Sequence, residues 1–135
     1  MFFQIDVSAP TPIYEQIYRQ AKFLIANGAL APDELIPSVR EVARALAINP
    51  QTVVRAYRDL QNEGVVYPVR GRGLAVATDA KKRCRDDRLS FFEREFERLL
   101  DEAIQSRLTP EEIRKTVLAK LEKTLKKRFA QPPRP

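Results

Sequence analysis

Histidine is absent from the 135 residues, cysteine occurs once and glycine four times. Without histidine the commonest general base near neutral pH is missing, and one cysteine cannot build a Cys/His metal set. No phosphate-binding P-loop and no nucleophile beside a plausible base is present. The acidic neighbours Asp86-Asp87 and Glu111-Glu112 diverge on a helix, so neither makes a paired-carboxylate site. The sequence therefore points away from an enzyme, and no catalytic residue, metal or cofactor is expected. Cys84 alone excludes an internal disulfide. No apolar run approaches the length of a bilayer-spanning helix, and Met1-Phe2-Phe3-Gln4-Ile5-Asp6 turns polar too soon for a signal segment. A cytoplasmic protein with no membrane partner is the expectation.

What is present begins with the stretch from Gly28 to Ala77. Ser38 can cap a helix whose Glu41 reaches back to the Ser38 amide, and Val39, Val42, Ala43 and Leu46 then recur on one face. This predicts a short helix from about Val39 to Ala47. After Ile48, Asn49 is a good N-cap, and Pro50 sits where a missing N–H costs nothing, so a second helix starts almost at once and runs to about Glu63. Gly64 supplies its exit. On that helix Val53, Ala56, Tyr57 and Leu60 share one face, while Gln51, Arg55, Arg58 and Asn62 share the other. Arginine can pair bidentately with guanine, and glutamine or asparagine with adenine. A solvated face is the bland alternative. Arg40 and Arg44, one turn apart on the preceding helix, weigh against it because two basic faces meet at one turn.

Beyond Gly64, the runs Val65 to Val69 and Leu74 to Ala77 flank Arg70-Gly71-Arg72-Gly73, which predicts a hairpin with a charged tip. Glycine there allows positive φ and close approach of backbone to a ligand. The order of helix, turn, helix and hairpin is that of a winged helix-turn-helix. The fold class expected is mainly α with a small β-hairpin: an N-terminal winged helix-turn-helix in residues 1–78 and a short C-terminal helical dimerisation extension, with its hinge, in residues 79–135.

Pro12-Ile13-Tyr14, Leu35-Ile36-Pro37-Ser38-Val39-Arg40, Asn49-Pro50-Gln51-Thr52-Val53, Ala56-Tyr57-Arg58-Asp59-Leu60, Glu63-Gly64 and Gly71-Arg72-Gly73 together resemble the GntR family of bacterial transcription regulators. The Asn-Pro-x-Thr-Val turn and the short tail resemble its YtrA-like subgroup. The resemblance implies a homodimeric repressor with a short helical C-terminal part, acting on a double-stranded DNA operator. It carries over to Ser38, Arg40, Arg44, Gln51, Thr52, Arg55 and Gly71. By it, Arg40 would contact a base, and Thr52 and Gly71 phosphates. Many members have glycine at Asp33 and Ser-Arg at Asn49-Pro50. The second departure removes a common DNA-contacting arginine and shifts readout toward Gln51, Arg55 and Arg58. With Arg70 and Arg72 of the wing, these residues are the expected DNA-binding set.

Net charge is +6, yet residues 1–78 hold 8 Lys/Arg against 7 Asp/Glu, while residues 79–135 hold 16 against 11. Placement matters more than the total, because counterion release depends on charges that touch phosphates. Arg40, Arg44, Arg55, Arg58, Arg70 and Arg72 all fall between Ser38 and Gly73.

Thr11-Pro12 is expected to open a first helix, as N-cap and first residue, with Ile13, Ile17, Ala21, Leu24 and Ile25 facing the core. Tyr14 and Tyr18 lie a turn apart, with packing preferred over contact with a partner or ligand. Before it, Phe2 to Val7 alternates in part, as a short strand or a segment lying against the tail. The charged run Asp79 to Arg88 is either an exposed hinge or the start of a helix, and Lys81, Lys82 and Arg83 are either solvated or set against DNA backbone. Cys84 among these bases is either inert or a redox sensor with a lowered pKa. Ser90 precedes a further helix striped with Phe92, Phe96, Leu99, Leu100, Ala103 and Ile104. The capping box at Thr109-Pro110-Glu111-Glu112 opens another, striped with Ile113, Val117, Leu121 and Leu125. These stripes are too large to bury alone, and Phe92, Phe96, Leu99, Leu100, Ile104, Ile113, Val117 and Leu121 are the expected dimer contacts. Packing on the winged domain is the alternative. The Pro-rich end from Ala130 is expected to be disordered. A winged-helix scaffold for protein binding is the rival function, and no residue pattern identifies a small-molecule effector.

Overall fold

The computed structural model describes residues 3–130. Phe2, and the Pro-rich end beyond Ala130 that was expected to be disordered, lie outside the described residues. The elements run α1 (Ile13–Ala26), α2 (Val39–Leu46), α3 (Pro50–Asn62), β1 (Val66–Val69), β2 (Gly73–Val76), α4 (Ala80–Gln105) and α5 (Pro110–Phe129). The fold is mainly α with one antiparallel hairpin, in which Val66 faces Val76 and Val69 faces Gly73. Two compact units divide it, Met1–Ser90 and Phe91–Pro135.

The first unit closes a core of its own. Ile17, Ala21 and Ile25 of α1, Val42 and Ala43 of α2, and Val53, Ala56, Tyr57 and Leu60 of α3 are buried with Val65, Val66 and Val76 of the hairpin. This is the helical spacing expected for those faces. Ser38 Oγ accepts the Glu41 amide at 3.1 Å and opens α2. Asn49 Oδ1 accepts the Gln51 amide at 2.9 Å and opens α3, with Pro50 at its first position. Each cap satisfies an amide that has no partner inside its own helix, an effect of about 1 kcal/mol.

Four expectations need correction. Thr11 does not cap α1: the cap position is Pro12, without a side-chain hydrogen bond, and Gln16 Nε2 instead donates to the Thr11 carbonyl at 2.9 Å. The segment after Phe2 is no strand. It runs along α1, where Gln20 Oε1 accepts the Gln4 amide and Gln16 Oε1 the Asp6 amide, each at 2.8 Å, and Phe3 enters the core. Two glutamines one turn apart supply the acceptors that a neighbouring strand would have offered. Of the two readings of the charged run, the hinge fails and the start of a helix holds: residues 80–88 are the first turns of α4, and Ser90 lies within that helix rather than before it.

The cause is a buried edge hidden in a charged run. Ala80 and Cys84, four residues apart, turn inward and join the core, while the charged neighbours stay outside. Arg83 donates to the carbonyl oxygens of Gly64, at 3.2 Å, and of Glu63, covering acceptors left open where α3 ends. Lys22 of α1 pairs with Asp87 at 2.7 Å and with Glu63 at 3.0 Å. Burial of Cys84 also answers the redox question. Its thiol is pushed up to about 11 by burial first, with Lys22 opposing and the Asp87 and Glu63 carboxylates adding to the rise. A buried thiol with a raised pKa is a poor nucleophile, the reverse of what a redox sensor needs.

In the second unit, Thr109 Oγ1 accepts the Glu112 amide at 3.1 Å, the forward half of the expected capping box, while the Glu112 carboxylate accepts from the Thr109 hydroxyl, at 3.1 Å, rather than from its amide. α5 contains no buried residue. Arg98 bridges Glu95 and Glu102 along one helix face at 3.0 and 2.6 Å. Such exposed pairs contribute only tenths of a kcal/mol each.

Candidate nucleic-acid interface

Tight anchoring of α2 and α3 gives their outer faces a fixed relation. Ala47 ends α2 in the left-handed region, at φ 54°, and the Ile48 amide donates to the Ala43 carbonyl at 3.1 Å, turning the chain directly into Asn49. The Tyr57 hydroxyl donates to the Pro37 carbonyl at 2.6 Å, tying the middle of α3 to the residue before the α2 cap. Burial, aided by the Glu41 charge, holds this phenol well above its usual range, so it remains a donor.

Arg40 and Arg44 on α2, with Gln51, Arg55 and Arg58 on α3, are exposed, while Thr52 is half-buried at the first turn of α3. At the hairpin tip Arg70, Gly71 and Arg72 are exposed, and the Arg72 amide closes the turn on the Val69 carbonyl at 2.9 Å. Gly71 has φ 74°, which disfavours any residue with a Cβ, although the space around it is open. Its requirement is conformational rather than steric. The hairpin tip and the start of α2 border one groove of about 390 Å³, lined by Ser38, Val39, Glu41 and Tyr57 on one side and by Arg72, Gly73 and Leu74 on the other. The start of α2 and the hairpin thus share one groove.

Charge on this surface is uncompensated. Among the described residues, Arg40, Arg44, Arg58, Arg70 and Arg72 enter no ion pair, whereas Arg19 holds Glu15 and Lys22 holds Glu63 and Asp87 elsewhere on the unit. Arg55 also has no carboxylate partner. Its guanidinium lies over the Tyr14 ring, 3.7 Å from the centroid.

Several supporting residues were not anticipated from the sequence. Residues 33–36 lie beside β2 as a third strand position: the Val76 carbonyl accepts the Asp33 amide at 2.7 Å, and the Leu74 carbonyl accepts the Ile36 amide at 2.9 Å. Asp33 has φ 66°, and its carboxylate accepts the Tyr67 hydroxyl at 2.8 Å, bracing the wing. A left-handed residue suits glycine, but aspartate tolerates this conformation and adds a bond. Leu35 and Ile36 were the available signal, too short an apolar pair to mark a strand.

The expected dimer contacts belong to the second unit. Phe92, Leu99 and Ile104 of α4 are 62%, 57% and 62% exposed, and the Phe92 and Phe96 rings stack with centroids 6.1 Å apart. Leu121 is exposed, while Leu100, Ile113 and Val117 are half-buried. Among the described residues no cluster of His, Cys, Asp or Glu could hold a metal, and no helix is long and apolar enough to cross a membrane.

Helix, tight turn, helix and a braced hairpin with a cationic tip define a winged helix-turn-helix domain. Residues 13–76 match the family of bacterial regulatory proteins, gntR family. The chain is 38% identical over 100 residues to the HTH-type transcriptional repressor YtrA of Bacillus subtilis (strain 168), covering 74% of this chain and 77% of that protein. The chain belongs to the GntR family. A GntR family transcriptional regulator from Listeria monocytogenes superimposes with a TM-score of 0.69 at 30% identity, over 85% of this chain and 98% of that one. The AraR DNA-binding domain, solved in complex with operator ORX1, aligns at 27% identity with a TM-score of 0.52, over 57% of this chain and 99% of that one. These relatives are transcriptional regulators by name, not enzymes.

Proposed function

We propose that this chain is a cytoplasmic, sequence-specific DNA-binding transcriptional regulator, acting as a homodimeric repressor on a palindromic operator. The observation that carries the reading is the set of exposed arginines without ion-pair partners, Arg40, Arg44 and Arg58 on the two helices and Arg70 and Arg72 on the wing. Pairing them with phosphates releases counterions, and a bidentate arginine distinguishes guanine from other bases. Ser38 and Thr52 at the two helix starts, with Gly71 at the wing tip, are placed for backbone contact. Gln51 and Arg58 have the reach and chemistry for base edges. Two copies joined through α4 and α5 would carry two recognition helices to successive major grooves, which are about 34–36 Å apart.

The test is a mobility shift with the DNA upstream of the chain's own gene against a shuffled duplex at fixed salt. Selective retardation is expected. Arg40→Ala should weaken it roughly 5- to 150-fold and relax preference at one base position. Binding that ignores both sequence and salt, or an Arg40→Ala variant with unchanged affinity, overturns the assignment and favours a protein-docking role.

A further inference from the structure

We infer that Tyr14, on α1 and outside the helix-turn-helix, is a positioning residue that fixes Arg55 as a clamp on the DNA backbone rather than as a reader of bases. The inference rests on the DNA-binding reading above. It begins with an arginine that declines an available carboxylate. Asp59 stands one turn along α3 from Arg55, at the spacing that suits an ion pair. Yet the guanidinium carbon lies over the Tyr14 ring, 3.7 Å from its centroid, and the group pairs with no carboxylate among the described residues.

Stacking divides the guanidinium into two parts. Its face is occupied by the ring, held there by attraction between the cation and the π electrons. Its N–H donors lie in the guanidinium plane and are uncommitted, since Arg55 donates no hydrogen bond among the described residues. A fork of donors held in one plane matches phosphate oxygens, and an arginine already ordered loses less side-chain freedom on binding.

Position argues for backbone over bases. On α3, Arg55 lies between the outward direction of Gln51 and Asn62 and the flank that carries Asp59 and Glu63. That flank meets α1, where Tyr14, Glu15 and Tyr18 line a cleft together with Asp59, Asn62 and Glu63. Tyr14 thus draws Arg55 toward the α1 edge of the recognition helix, while Arg58, on the opposite side of the outward direction, is left to enter the groove. The platform is firm. Tyr14 is half-buried against the core between Ile13 and the fully buried Ile17, and Glu15 beside it is held by Arg19 at 2.8 Å.

The experiment uses the full chain and a duplex enriched by the wild type from a random library, with a scrambled duplex as reference. Tyr14→Phe keeps the ring and should bind within about twofold of wild type. Tyr14→Leu keeps apolar volume but loses the ring, and should weaken binding about three- to tenfold. Arg55→Ala should weaken binding at least as much, lower the salt slope by about one and leave the ranking of single-base variants of the site unchanged. The double variant should bind no worse than Arg55→Ala alone. Tyr14→Leu binding like wild type, additive losses in the double variant, or a changed base ranking in Arg55→Ala each overturn the inference. The Arg55→Ala ranking decides the matter even where Tyr14→Leu is poorly folded, because Arg55 is exposed. A library from which the wild type enriches nothing overturns the DNA reading, and this inference falls with it.

Discussion

The two compact units of this chain are both largely helical, but they solve the problem of apolar surface in opposite ways. Residues 3–90 fold three helices, a hairpin and the first turns of α4 around one core, in which Ile17, Val42, Val53 and Leu60 are wholly buried. Beyond Ser90 no residue of α4 or α5 is buried, and Phe92, Leu99 and Ile104 are exposed. Both units carry well-formed caps, at Ser38 and Asn49 in one and at Thr109 in the other. Local helix signals are therefore equal, and the difference lies in what covers the apolar face. Most helical stability in proteins comes from such covering rather than from propensity. A unit that closes on itself can present a rigid charged surface, whereas one left open is suited to joining a second copy.

The contrast can be broken first in the core. Leu60→Ala should cost the first unit about 3 kcal/mol in denaturant unfolding, through lost transfer energy and the cavity left behind. Leu118→Ala on α5, where the side chain is 53% exposed, should shift the same transition by well under 1 kcal/mol. Equal losses would show that the second unit is packed as tightly as the first.

Next comes the covering of α4. Phe96→Glu combined with Leu99→Glu should convert the proposed dimer to a monomer by light scattering, since charge cannot be buried unpaired at an apolar contact. Operator affinity should then fall on the order of 100-fold, the advantage that linkage of two reading heads supplies. Retention of the dimer would move the interface away from this stripe.

The smallest effect sharpens the boundary between the units. The Cys84 thiol is raised from 9.0 to about 11, mainly by burial. Because the folded-state value lies above the unfolded one, its contribution is fully present below about pH 9 and is lost as pH rises through about 11. Unfolding free energy should therefore fall by about 1 kcal/mol between pH 8 and 10 from this group, and Cys84→Ala should flatten that decline. An unchanged decline would mean that Cys84 does not sit in the core.

Much of the first unit was legible because its signals are local. A cap at Ser38, a cap and proline at Asn49-Pro50 and apolar residues at helical spacing require no knowledge of distant residues, and α2 and α3 follow within a residue or two of expectation. Thr11 failed as a cap because Gln16, reaching back to carbonyls, organises that turn differently. The run 80–88 read equally as a hinge or as a helix start because only Ala80 and Cys84 carry its apolar edge. Their burial depends on surfaces supplied by other helices. The cationic surface was also legible as a set of residues, though not its support by Asp33 and Tyr67, which are 34 positions apart in the chain.

The sequence alone determined the starts of α2, α3 and α5, the turn between α2 and α3, the glycine at the wing tip and the clustering of arginines between Ser38 and Gly73, since each rests on a residue and its near neighbours. Only the tertiary structure decided that Arg55 rests on Tyr14, that residues 33–36 brace the hairpin, and that a charged run hides a core cysteine. These are contacts between side chains far apart along the chain, and their strength depends on distance, burial and local dielectric that exist only once the helices have packed.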